Sequence, residues 1–188
     1  MAIQHQNFNK IQPTLWAGGK TFEYYIYPNT ASYSKKDFLI RLSTATIESS
    51  PSQFTAFPDY HRYLIMLDND LQIERDNKHI NYPKGSVFEF PAQANITSFT
   101  TGTDFNVMVH ESVNDIEINT TNSIEIAAKH AFILAVDYTI VMIHEKRYHL
   151  LAKDMLIVHQ AENPKPYLIE ADKATIICTW EHIAPQQR

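Results

Sequence analysis

The 188-residue chain is 44% hydrophobic and 20% charged, with a net charge of -5, a balance that suits one large globular domain or two small packed ones. It has no Lys/Arg run or basic stripe, which argues against nucleic acid as a partner, and no window near the ~18 apolar residues of a membrane span. The opening MAIQHQNFNK lacks a charged-then-apolar signal pattern and Cys178 is the single cysteine, so no intrachain disulfide can form and a soluble cytoplasmic protein is expected.

The first motif in chain order is LWAGGKT, with Gly18 and Gly19. It lacks the earlier glycine and the strand-to-helix context of a phosphate loop, and its glycines suit a tight turn or a close backbone approach. From there the chain reads as short strands. TFEYYIY alternates Thr21, Glu23 and Tyr25 with Phe22, Tyr24 and Ile26. ASYSKKDF is the best candidate for a short helix. FLIRLSTATI alternates Leu39, Arg41, Ser43 and Ala45 with Phe38, Ile40 and Leu42. YLIML, LQIER, SVFEF, NITSF and FNVMV follow, bounded by Asp, Asn, Gly or Pro. Many short strands at close spacing predict an all-β sandwich or barrel.

An internal repeat sharpens that expectation. Laying Asp68 over Asp137 brings Leu64 onto Ile133, Ile73 onto Met142, Phe88 onto Ile157 and Met108 onto Ile177 without a gap. Two β-rich units of similar layout predict a bicupin: two tandem cupin-like jelly-roll barrels with few short helices. The expected bounds are 1–115 and 116–188, packed as one compact unit. The second unit drops the polar residues of the first, with Lys173 over Asp104 and Thr175 over Asn106. The first unit is therefore the expected site, with the second a structural or dimer-forming partner.

The polar side chains of the first unit fall on shared strand faces: Thr21 with Glu23, Arg41 with Ser43, and Asn106 with His110. Arg62 leads into the apolar run YLIML, where a guanidinium is costly to bury unless it is paired. Two arginines, an amide and a hydroxyl at a barrel mouth would receive a small carboxylate, since a guanidinium fork matches that group. Each residue also has a plainer role: Glu23 can neutralise Arg41 or Arg62, and Asn106 can tie down a loop. The nine histidines include no His-x-His and no HExxH, which argues against a compact metal site. No nucleophile motif is present, and Cys178 lies in the apolar run ATIICTW, where an inert buried thiol is expected. The pattern calls for no cofactor.

LWAGGKTFE, FLIRLSTATIESSPSQFTAFPDYHRYLIML and TDFNVM together resemble the HutD/Ves family in order and spacing, over about Leu15 to His110. The resemblance implies a bicupin fold and no established catalytic activity. It also implies a regulatory role in histidine utilisation, through binding of an intermediate such as urocanate or formiminoglutamate, or a role in stress response. Ala17, Lys20 and Asp59-Tyr60-His61 depart from the family's pattern, and His110 stands where arginine is common. The expectation is a non-catalytic binder of a small organic acid at Thr21, Glu23, Arg41, Ser43, Arg62, Asn106 and His110. A metal-dependent cupin isomerase or dioxygenase, with His110 and Glu23 as first suspects, is the alternative; a structural or interaction protein is a third. Exposed edge strands would make a homodimer reasonable.

Overall fold

The computed structural model describes residues 1–161 and 164–183. In chain order the strands are β1 (Ala2–Gln6), β2 (Thr14–Trp16), β3 (Gly19–Tyr27), β4 (Ile40–Ile47), β5 (Ser52–Gln53), β6 (Tyr60–Met66), β7 (Leu71–Arg75), β8 (Lys78–Tyr82), β9 (Phe88–Pro91), β10 (Thr97–Ser98) and β11 (Gly102–His110). There follow β12 (Val113–Asn114), β13 (Glu117–Ile126), β14 (His130–Ala135), β15 (Thr139–Ile143), β16 (Lys146–Leu150), β17 (Met155–His159), β18 (Tyr167–Trp180) and β19 (His182–Ile183). Among the described residues there is no α-helix, and the single helical turn is a 3-10 turn at Phe8–Lys10. ASYSKKDF, the helix candidate, forms turns, held in part by the Asp37 carboxylate accepting the Ser32 N–H at 2.8 Å. A side chain that bonds nearby backbone in this way competes with helix formation.

Two compact units emerge, one spanning Ile11–Val113 and the other joining Met1–Lys10 to the chain from Asn114 onward. Sequence alone puts the first ten residues with the first unit. In the structure β1 instead pairs antiparallel with β17, from Ala2 opposite His159 to Gln6 opposite Met155. Ile3 thereby packs on the second unit's aliphatic cluster.

The first unit has a six-stranded sheet in the order β2-β3-β4-β11-β6-β9 and a four-stranded sheet in the order β5-β10-β7-β8. The alternating patterns become strands because one face of each is buried. Leu64, Met66, Leu71, Ile73, Phe88, Phe90 and Ile96 form one buried cluster, and Phe38, Phe57, Tyr60, Ala92 and Met108 form another. The β7–β8 hairpin turns through Asp76 and Asn77, at φ 53° and 57°. These residue types tolerate the left-handed region that tight hairpins require. Gly19 opens β3 at φ 154°, and a Cβ there would collide with the Thr46 carbonyl, so the close approach expected of this motif is real.

In the second unit β1-β17-β14-β18-β15-β16 form one sheet, and β13 also pairs with β18. β18 is fourteen residues long: Thr175–Trp180 pairs with β14, and Ile169–Ala171 pairs with β15. One strand thus serves both halves of a curled sheet.

The pairing scheme β4-β11-β6-β9 of the first unit recurs as β13-β18-β14-β17 in the second. The ungapped overlay is nevertheless corrected by the ladders. Asn106 lies opposite Leu64, whereas Thr175 lies opposite Ala135 and not Ile133. The slip is even, so it keeps every side chain on its expected face, which is why the apolar pattern agrees.

Candidate functional site

Three rows of residues cross the six-stranded sheet of the first unit, fixed by strand register. Thr21, Ala45, Asp104 and Met66 make one row; Glu23, Ser43, Asn106 and Leu64 make the next. Ile26, Arg41, Met108 and Arg62 make the third. A bulge in β3 between Glu23 and Tyr25 inserts one residue. That insertion lets odd-numbered Glu23 and even-numbered Ile26 share the face.

This face lines a cavity of about 300 Å³, at the small end of the range for small-molecule sites. Thr21, Glu23, Arg41, Ser43, Arg62 and Asn106 all line it, so the structure brings together six of the seven residues singled out from sequence. His110 is not among the lining residues. It shares strand parity with Asn106 but lies at the end of β11 opposite Tyr60, whose ring it meets edge-on at 5.3 Å. Its Nδ1 lies 2.8 Å from the Ser112 hydroxyl. The buried Tyr60 and Met108 belong to one apolar cluster with Phe38 and Phe57, which fills the positions next to His110.

The two arginines are held differently. Arg41 donates from Nε to Glu23 Oε2 at 2.7 Å and from an Nη to the Ser43 hydroxyl at 3.2 Å. Its guanidinium lies 4.4 Å from the centre of the Tyr33 ring. Glu23 therefore neutralises Arg41, as the plainer reading of that residue anticipates. Arg62 is 4% exposed and makes no ion pair within 4.0 Å among the described residues; an Nη donates to the Thr55 carbonyl at 3.2 Å and meets Met108 Sδ at 3.6 Å. Its guanidinium sits 5.4 Å and 5.8 Å from the Phe54 and Phe90 ring centres. Burial lowers its pKa, opposed by Tyr33 and Asp104. Arg62 Nε and Asn106 Oδ1 are buried without a hydrogen-bond partner among the described residues. Native proteins leave few such atoms, and each calls for an explanation.

Asp104 is the functional candidate that sequence reasoning passed over. It is 4% exposed and lines the cavity, and its Oδ1 accepts the Ala45 N–H at 3.0 Å. Burial pushes its carboxyl up to about 7, against the opposing pull of the Ala45 N–H, Arg62 and Arg41. The signal was available, because a residue two before Asn106 on a strand shares its face. Tyr33, Phe54 and Thr55 also line the cavity, but they come from connecting segments where no periodicity points at them.

Among the described residues no group of three or more His, Cys, Asp or Glu side chains is placed to hold a metal ion. The two metal suspects do not converge, since Glu23 is engaged by Arg41 inside the cavity and His110 lies outside its lining. Cys178 is buried, and burial pushes its thiol up to about 12. Among the described residues no helix is long and apolar enough to cross a membrane.

The HutD family model matches residues 8–178. HutD from Pseudomonas fluorescens SBW25, solved in a formate condition, is 18% identical with a TM-score of 0.79, over 96% of this chain and 98% of that one. A conserved protein of unknown function from Pseudomonas aeruginosa PAO1 is 16% identical with a TM-score of 0.78, over 96% and 98%. A Cupin 2 conserved barrel domain protein from Leptotrichia buccalis is 12% identical with a TM-score of 0.56, over 95% and 96%. At these identities the solved structures show a shared cupin-type fold alone. No curated protein matches the chain.

Proposed function

The chain belongs to the HutD family, and from that premise we propose that it is a bicupin whose first barrel binds a small carboxylate metabolite without transforming it. The ligand class is urocanate- or formiminoglutamate-like, and the role is regulatory, in histidine utilisation or stress response. The observation that carries this reading is Arg62. A guanidinium 4% exposed, with an unbonded Nε and no ion pair among the described residues, lines a cavity of about 300 Å³. Such a charge is expensive to keep buried unless something pairs with it, and a carboxylate is the planar partner it fits. Arg41, Ser43 and Asn106 line the same cavity. The formate condition of the P. fluorescens relative supports trying the smallest carboxylate first. The recurrent strand pairing of the two units supports the bicupin reading.

Thermal-shift titration with formate, urocanate and formiminoglutamate tests the proposal. A ligand at a hundredfold excess over its dissociation constant should stabilise the protein by roughly 2.7 kcal/mol. A panel of small acids that leaves the melting temperature unmoved at every concentration would sink it.

A further inference from the structure

We propose that Asp104 is the proton-accepting group of this cavity, so that a carboxylate ligand enters together with one proton taken up by the Asp104 carboxylate. The inference rests on the carboxylate-binding reading above and adds to it a regulator, pH.

The charges facing one another in and beside the cavity carry the argument. From β3, Glu23 is committed to Arg41 of β4 at 2.7 Å. From β6, Arg62 donates to the Thr55 carbonyl and meets the Met108 thioether. From β11, Asp104 lines the cavity and uses Oδ1 to accept the Ala45 N–H. Asp68, just after β6, adds a repulsive negative charge toward Asp104, and Tyr33 faces Arg62 from a connecting segment. With Asp104 ionised, two positive and two negative side chains balance, and an incoming carboxylate leaves the site with an excess negative charge. Two carboxylates confined together with a low-dielectric wall do not both stay ionised. The group with the higher proton affinity takes the proton, and that is Asp104, since burial already holds its carboxyl near 7. The proton comes from solvent and sits on Oδ2. The resulting O–H can donate to the ligand's carboxylate, a charge-assisted hydrogen bond of the strong kind. No histidine, lysine or cysteine lines the cavity, and Asp104 is a lining carboxyl that burial raises to about 7.

Calorimetric titration of the full chain with sodium formate decides the matter. Formate remains ionised across the range, so any pH dependence belongs to the protein. The dissociation constant should be flat below about pH 7 and rise about tenfold per unit once Asp104 is ionised in the free protein. Repeating the titration near pH 8 in two buffers of different ionisation enthalpy should give about one proton taken up per formate bound. Asp104→Asn should bind with a pH-independent constant and take up none. Formate binding with no uptake and a flat profile in the wild-type protein overturns the proton coupling and leaves the carboxylate reading standing. A slope that survives in Asp104→Asn places the proton elsewhere and also overturns it. Absence of binding at any pH, by formate and by the whole acid panel, overturns both. The wild-type proton count needs no variant to fold.

Discussion

On β11 the inward positions are Asp104, Asn106 and Met108, and two of the three line a cavity with Arg41 and Arg62. On the corresponding face of β18 stand Thr175, Ile177 and Thr179. There Ile177 joins Ala131, Ile133, Leu156, Val158 and Ile169 in one aliphatic cluster. β11 pairs with β4 and β6, β18 pairs with β13 and β14 in the same scheme and with β15 besides, and both are buried along most of their length. The comparison separates what builds this sheet from what the sheet holds. Alternation and hairpin turns set the strand pairing in both units, and neither requires a polar interior. A polar interior raises the free energy relative to an aliphatic one. The residues that make it so in the first unit therefore have their explanation in the cavity.

The largest effect should come from the filled unit. Leu156 is fully buried in its aliphatic cluster, and Leu156→Ala should destabilise the protein by about 2–5 kcal/mol in denaturant melts. Affinity for a carboxylate, measured under conditions where the variant is folded, should change less than about twofold, because Leu156 lines no part of the cavity. A large loss of affinity with the fold intact would break the division of labour between the units.

Much of this division could be read from the chain itself, for a physical reason. Side chains alternate across a strand, so Thr21 with Glu23, and Arg41 with Ser43, had to share faces. Loss of the Asp-Phe-Asn triplet at Lys173–Thr175 marked the unit that lacks the polar face. Three features were out of reach. Strand register came from hydrogen bonds, which is how an ungapped overlay concealed a two-residue slip between β14 and β18. The pairing of β1 with β17 joins residues far apart in sequence, and no local pattern in AIQHQ announces it. Parity also says which face a residue takes but not how far the cavity extends along it. It placed His110 with Asn106, although His110 packs on the Tyr60 ring and does not line the cavity.

The next effect in size concerns Arg62. Hydrogen bonds to charged groups contribute about 1.5–3 kcal/mol, so Arg62→Met should raise the dissociation constant for formate by about a hundredfold. Stability should hold or rise, since a well-packed apolar side chain replaces a buried charge that has no ion pair among the described residues. Severe destabilisation with unchanged binding would make Arg62 a structural residue and erase the contrast with Ala131, its counterpart in the overlay. Asp104 also acts on the ligand-free protein, through an effect spread over several pH units. Its carboxyl is held near 7 in the folded state, against about 4 in an unfolded chain. Across that window the native state keeps a proton that the unfolded state has lost. Stability therefore falls as pH rises from about 4 to about 7, by up to about 1.4 kcal/mol per unit, with no contribution from this group outside the window. Asp104→Asn should remove that slope from a series of urea melts, and an unchanged slope would assign it to other groups.

The smallest expected change is the one that fixes where the cavity ends. His110 meets the Ser112 hydroxyl at 2.8 Å and the Tyr60 ring at 5.3 Å, and neither contact reaches the cavity lining. His110→Ala should therefore cost about 0.5–1.5 kcal/mol of stability, the net worth of one hydrogen bond, and shift carboxylate affinity less than about twofold. His110→Arg tests the same boundary from the other side. If the site ends at Met108 and Arg62, an added guanidinium beyond Tyr60 gains no contact with a ligand the size of formate, and the two variants should bind it alike. A tenfold gain for His110→Arg would extend the cavity past the aromatic cluster, and the row of Arg41, Met108 and Arg62 would then be its middle and not its end.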